Sequence, residues 1–142
     1  MRKFEDALPL QLLRAREVMM PFFRPLLHDN SLTEQQWRIL RALYAFEELE
    51  SKELANHCCI LSPSLTGILK RLEQRGYIKR RKSEEDQRRT IISLSDSAYD
   101  LLTRLSPEVE AQYKAFNQLY GEENTKELIA ALKKLIQLKK PK

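Results

Sequence analysis

Apolar positions recur with a helical period along most of this chain. Between 8 and 27, Leu10, Leu12, Leu13, Val18, Met19, Met20, Phe22, Phe23 and Leu26 wrap most of the circumference of one expected helix. A helix apolar on so many sides needs partners on more than one of them. Pro21 and Pro25 should kink or end it, since proline has no N–H and clashes with the preceding turn. Trp37, Ile39, Leu40, Leu43 and Tyr44 stripe a second helix, which Thr33 and Gln36 open as a capping box. Glu47 to Glu50 reads as an acidic break. Ser51 then caps a short helix, Lys52 to His57, with Leu54 and Ala55 inward, and Cys58 to Leu61 make a turn. Leu65, Ile68, Leu69 and Leu72 stand at i, i+3, i+4 and i+7 on the next helix. Ser62 is read as its cap, Pro63 as its first helical residue and Gly76 as its stop.

The period then changes. Tyr77 to Lys82 is a basic run, and Thr90 to Leu94 is β-branched and apolar, so both read as strands around a charged loop. Ser95 caps a long helix, 96 to 120, striped by Tyr99, Leu102, Leu105, Val109, Tyr113, Phe116 and Leu119. Ser106-Pro107 bends it without ending it, and Gly121 ends it. A last helix, Glu122 to Leu138, shows Leu128, Ile129, Leu132, Leu135 and Ile136 on one face. Lys133, Lys134, Lys139 and Lys140 favour its C-terminal end through the helix dipole. The fold class expected is mostly α with a small β-wing. A winged helix-turn-helix at 33–95 is flanked by a helical dimerisation region at 1–32 and 96–142.

Charge narrows the picture. The segment from Ser62 to Arg89 holds nine Lys and Arg against four Asp and Glu, and that excess equals the +5 of the whole 142-residue chain. A charge excess confined to one stretch offers that stretch to a polyanion. Small hydroxyls at the start of its helix and cations further along the same face suit a helix entering the DNA major groove. Ser62, Ser64, Leu65, Thr66, Lys70 and Arg71 are the candidate contacts there. Gly67 within the helix costs about 1 kcal/mol relative to alanine and is read as allowing close approach of a phosphate backbone or a neighbouring helix. Lys82, Asp86, Arg88 and Arg89 are the wing candidates: an arginine at the loop tip can enter the electronegative minor groove. Asp86 is spaced to hold Arg88 by a charge-assisted hydrogen bond.

Other chemistries find little support. Two histidines, His28 and His57, without a spaced Cys, His and carboxylate cluster make no metal site. No glycine-rich phosphate loop is present, so no catalytic residue and no cofactor is expected. No apolar run reaches the roughly 20 residues of a membrane span, and the N-terminus lacks the apolar core of a signal peptide. Cys58 and Cys59 are adjacent, a poor geometry for a bridge, which points to reduced thiols and a cytoplasmic protein.

Arg71-Leu72-Glu73-Gln74-Arg75-Gly76-Tyr77-Ile78 followed by Asp86-Gln87-Arg88-Arg89 resembles the MarR (multiple antibiotic resistance regulator) family, and Leu32 to Leu40 looks like that family's second helix. Ala15-Arg16-Glu17, Phe23-Arg24-Pro25 and the run from Cys59 to Leu69 are similar to its HpaR subgroup, regulators of homoprotocatechuate degradation. The resemblance implies a homodimer on a pseudo-palindromic double-stranded DNA operator, repressing aromatic-acid catabolism genes until a small aromatic carboxylate releases it. Arg16, a cation on an otherwise apolar helix, is the candidate for that carboxylate, with Phe23 and Trp37 covering the ring. An internal salt bridge is the plainer reading of Arg16. Arg14, Arg24, His28 and Arg41 are secondary candidates. The alternatives are another trigger, a different small molecule or oxidation of Cys58 and Cys59, and a non-specific architectural or RNA-binding winged helix.

Overall fold

The computed structural model describes residues 1–139. After a single 3-10 turn at Phe4–Asp6 come α1 (Leu8–Met19), α2 (Arg24–Asp29), α3 (Glu34–Phe46), β1 (Glu48–Glu50), α4 (Ser51–Cys58) and α5 (Ser62–Gln74). They are followed by β2 (Ile78–Lys82), β3 (Thr90–Leu94), α6 (Asp96–Tyr120) and α7 (Glu122–Ile136). Lys140, counted above among the cations of the last helix, lies outside the described residues, while Lys133 and Lys134 do stand in the last turn of α7.

The chain divides into two compact units. One holds Met1–Phe23 and the chain from Val109 onward; the other is Arg24–Glu108. The winged unit thus includes α2 and the first half of α6, where the sequence suggested boundaries at 32/33 and 95/96. The buried side chains explain the wider unit: Leu27 and Leu32 at one end, and Ala98, Leu101, Leu102 and Leu105 at the other, join the same core as α3 to β3. Ile39, Leu40, Leu43, Leu54, Leu72, Ile92 and Leu105 are its largest fully buried residues.

The helix read over 8–27 is interrupted at its prolines, as expected. α1 stops at Met19, Met20–Phe22 forms a 3-10 turn around Pro21, and α2 restarts with Pro25 in its first turn. A correction concerns the acidic break, three of whose residues form β1. It pairs antiparallel with β3, Leu49 opposite Ile92, to give a three-stranded sheet in the order β1-β3-β2. Apolar alternation is invisible in three residues, so only its partner strand reveals it. Glu50, not Ser51, caps α4: its carboxylate accepts the N3 backbone N–H, and its own N–H donates to Glu53 Oε1 at 3.1 Å.

The other local signals fold as expected. Thr33 and Gln36 form a reciprocal capping box on α3, with bonds of 3.0 and 3.1 Å. Gly76, at φ +74°, ends α5 in a Schellman turn, with Gly76 N–H bonded to the Glu73 carbonyl and Tyr77 N–H to that of Leu72. Ser95 accepts the Ala98 N–H at the start of α6, which continues through Pro107. Arg75 then ties the end of α5 to the turn before α3. Its guanidinium donates to the Ser31 carbonyl at 2.6 Å and to Gln36 Oε1 at 3.3 Å, and lies 4.8 Å above the Tyr77 ring centre.

The first unit has a thin core. Phe22 meets Phe116 edge-on at 5.6 Å and Phe23 packs on Tyr113 at 4.9 Å. Among its described residues only Phe23 and Phe116 are buried. Leu12, Leu13, Val18, Leu119, Leu128, Ile129, Leu135 and Ile136 are exposed. That many apolar side chains on amphipathic helices are characteristic of a surface that another chain covers.

Candidate nucleic-acid interface

α5 turns its two faces apart. Leu65, Ile68, Leu69 and Leu72 are buried against the domain, and Ser62, Ser64, Thr66, Lys70 and Arg71 are exposed. Leu65, at 3% exposure, belongs to the core stripe and has almost no surface to offer a partner. Ser62 is not a cap either. Leu61 holds the N-cap position, and Ser62 is the first helical residue with its hydroxyl unused. Among the described residues, the side chains of Ser62, Ser64, Thr66, Lys70 and Arg71 make no hydrogen bond or ion pair. Gly67 lies on the same helix, and a Cβ built on it would meet nothing within 4 Å. Among the described residues no neighbouring helix requires the glycine, so its space opens outward.

The wing is organised differently, because its arginines are all held. Asp86 Oδ1 accepts the Arg88 backbone N–H at 3.0 Å and Arg88 Nε at 3.1 Å, and Oδ2 accepts Nη2 at 3.3 Å. The guanidinium is presented at the tip with its side chain 92% exposed. Arg81 Nη2 bonds both oxygens of Glu48 at 3.1 Å, and Arg80 pairs with Glu73 at 3.3 Å. Arg89 pairs with Glu50, and Lys82 lies 3.5 Å from Thr90 Oγ1.

The Arg88 side chain, then its backbone N–H, hold the Asp86 carboxyl below the ordinary carboxylate value. A depressed native pKa means that order at the tip is complete above the unfolded value near 3.9 and is lost as pH falls through the lower native one. The Arg88 amide resonance should therefore titrate with a midpoint below that of a model aspartate. An NMR titration with an unshifted midpoint would show that the pair does not form.

A groove of about 470 Å³ runs between the starts of α4 and α5 and the wing strands, lined by Ser51, Lys52, Ser62, Leu65, Thr66, Leu69, Arg80 and Thr90. Lys52 and Arg80 were not among the expected contacts. A usable signal existed for Lys52: a cation in the first turn of a helix opposes the helix dipole, which suggests an outside anion. Arg80 gave none, because only the fold brings β2 beside α5.

The three candidate ligand residues are distributed over both units. Arg16 is half-exposed on α1, with Nη1 3.7 Å from Glu17 Oε1, and Phe23 is buried on Tyr113 in the same unit. Trp37 is half-buried on α3 in the winged unit. Arg24, a secondary candidate, donates to Glu34 Oε1 at 2.8 Å. Among the described residues no group of His, Cys, Asp and Glu could hold a metal, and no helix is long and apolar enough to cross a membrane.

Comparison with known proteins agrees with this architecture. The MarR family profile matches residues 32–90. The transcriptional regulator FarR of Neisseria gonorrhoeae is 42% identical over 127 residues, 87% of each chain. The homoprotocatechuate degradative operon repressor of Escherichia coli is 40% identical over 133 residues, covering 94% of this chain and 90% of that one. Among solved structures, NadR in complex with 4-hydroxyphenylacetate is 37% identical, with a TM-score of 0.87 over 98% of this chain and 99% of that one. With its winged unit and its flanking helices both matched at this level, the chain belongs to the MarR family of transcriptional regulators.

Proposed function

We propose that this chain is a cytoplasmic homodimeric repressor of aromatic-acid catabolism genes, not an enzyme, and that a small aromatic carboxylate releases it from a pseudo-palindromic operator. The observation that carries this reading is near-full-length similarity to two proteins tied to one chemistry, the homoprotocatechuate operon repressor and NadR with 4-hydroxyphenylacetate. The exposed apolar faces of α1 and α7 form the dimer, which sets two α5 helices about one DNA turn apart. Ser64 and Thr66 face base edges, Ser62, Lys70 and Arg71 serve bases or phosphates, Lys82 supports the wing contact, and Arg88 enters the flanking minor groove. A ligand can shift this equilibrium only by its differential affinity for the bound and released states.

A cysteine trigger is the weaker reading. Burial pushes the Cys58 thiol up, and its Sγ donates to the Arg38 carbonyl at 3.3 Å, whereas the reactive form of cysteine is the thiolate.

Fluorescence anisotropy tests the proposal. Labelled duplex from upstream of the protein's own gene is titrated against a scrambled duplex, with and without 4-hydroxyphenylacetate and homoprotocatechuate. Preferential binding relieved by either acid is the expected result. Preference unaffected by both acids removes the ligand, and no preference moves the protein to the architectural reading. Arg16→Ala should leave DNA affinity in place and raise the acid concentration needed for release about tenfold or more, the loss of a charged hydrogen bond worth roughly 1.5–3 kcal/mol. An unchanged release curve would leave Arg16 with its intramolecular partners alone.

A further inference from the structure

We propose that Arg89 is a positioning residue for the wing rather than a DNA contact, and that Glu50 is its fixed partner on the body of the domain. The inference rests on the reading above that the wing meets DNA. It assigns different tasks to two adjacent arginines that look equivalent in sequence.

Their surroundings separate them. The Arg88 side chain is 92% exposed, and its carboxylate partner, Asp86, lies in the same loop, so the pair travels with the tip. The Arg89 side chain is 47% exposed, and its partner lies outside the loop with only 20% of its side chain exposed. The backbone of Arg89 closes the wing: its N–H donates to the Asp86 carbonyl at 2.9 Å, and its carbonyl accepts the Ser83 N–H at 2.9 Å. Whatever fixes the Arg89 side chain therefore fixes the base of the loop that presents Arg88.

Glu50 is well placed to do this. It ends β1 opposite Ile91 of β3, the residue that also faces Arg81 of β2. Alternation along the strands puts Glu48, Glu50, Ile91 and Arg81 on one face of the sheet, where Glu48 already holds Arg81 through both oxygens. The same Glu50 carboxylate caps α4. One side chain thus joins the first helix of the helix-turn-helix to the base of the wing. Charge at position 50 should set where the wing stands relative to α4 and α5.

The test is a double-mutant cycle on the intact protein. Glu50→Gln keeps an oxygen to cap α4 and removes the charge. Operator affinity is read by anisotropy on the duplex from upstream of the protein's own gene. Exchange of the Ser83, Arg88 and Arg89 amides is read in the free protein. Glu50→Gln and Arg89→Gln should each weaken binding about fivefold, and the double variant about as much as either alone, as coupled partners do. Arg89→Lys, which keeps a cation opposite Glu50, should bind within about twofold of the parent. In the Arg88→Ala background Glu50→Gln should cost little more, because its effect runs through the presentation of Arg88. The three wing amides should exchange faster in Glu50→Gln while the amides of α6 do not. Multiplicative effects of Glu50→Gln and Arg89→Gln, or an Arg89→Gln loss with no effect of Glu50→Gln on affinity or exchange, would make Arg89 a direct contact and overturn the proposal. If Arg88→Ala leaves affinity unchanged, the wing reading itself fails, and the exchange data still decide whether Glu50 orders the loop.

Discussion

Ile129→Asp combined with Ile136→Asp should convert the protein to monomers and remove operator binding at concentrations where the parent saturates. The two residues stand seven apart on α7, hence on one face, and are 43% and 77% exposed in the isolated chain. Fully burying such a side chain is worth about 1.5–3 kcal/mol, so the exposed fractions of four of them across a two-fold interface contribute roughly 4–7 kcal/mol. Even the lower figure corresponds to a several-hundredfold change in dimer dissociation, before the cost of placing four carboxylates there. Operator binding fails with it, because one reading unit has half the contacts of two. Sedimentation equilibrium gives the assembly state, anisotropy gives the affinity, and circular dichroism checks that the helices remain. A variant that stays dimeric and binds normally would show that the apolar face of α7 is covered by something other than a second copy.

The second large effect is expected at the wing tip. Arg88→Ala should weaken operator binding by at least about thirtyfold, since a specific arginine contact is worth roughly 1–3 kcal/mol and a symmetric dimer makes it twice. Asp86 already holds the guanidinium in place before DNA arrives, so little ordering entropy is spent on contact. The loss should be greatest on operators with narrow, A·T-rich flanks, where an arginine in the minor groove finds the strongest potential. Equal losses on A·T-rich and G·C-rich flanks would reduce Arg88 to a general phosphate contact. No loss at all would take the wing away from DNA.

Much of this architecture was written in local patterns. The i, i+3, i+4, i+7 stripe of α5, the capping box at Thr33, the glycine stop at Gly76 and the Asp86–Arg88 spacing each depend on residues within one or two turns of one another. Such features are legible because their partners are neighbours in the chain. Misread features depended on distant partners. β1 is a strand because Ile92 lies beside Leu49, and the N-cap position falls on Glu50, not Ser51, where β1 runs directly into α4. The break in the helix over 8–27 was legible for the same local reason: two prolines four residues apart divide one helix into two. At the interface, the sequence named the basic residues but could not say which were engaged. Leu65 was counted as a contact although its own stripe assigns it to the core. Arg88 and Arg89 could be told apart only once the wing stood next to β1.

Five of the exposed side chains of α5 have a consequence for how such proteins diversify. Ser62, Ser64, Thr66, Lys70 and Arg71 take no part in the packing that keeps the fold. Substitutions at positions of this kind usually alter stability by less than about 0.5 kcal/mol. After a gene duplication, one copy could exchange these residues and acquire a new operator while its folding stays as it was. The wing and its carboxylate anchors have no such freedom, because each change there has a partner to satisfy. Divergence in base preference should therefore outpace divergence in the wing among descendants of one ancestor.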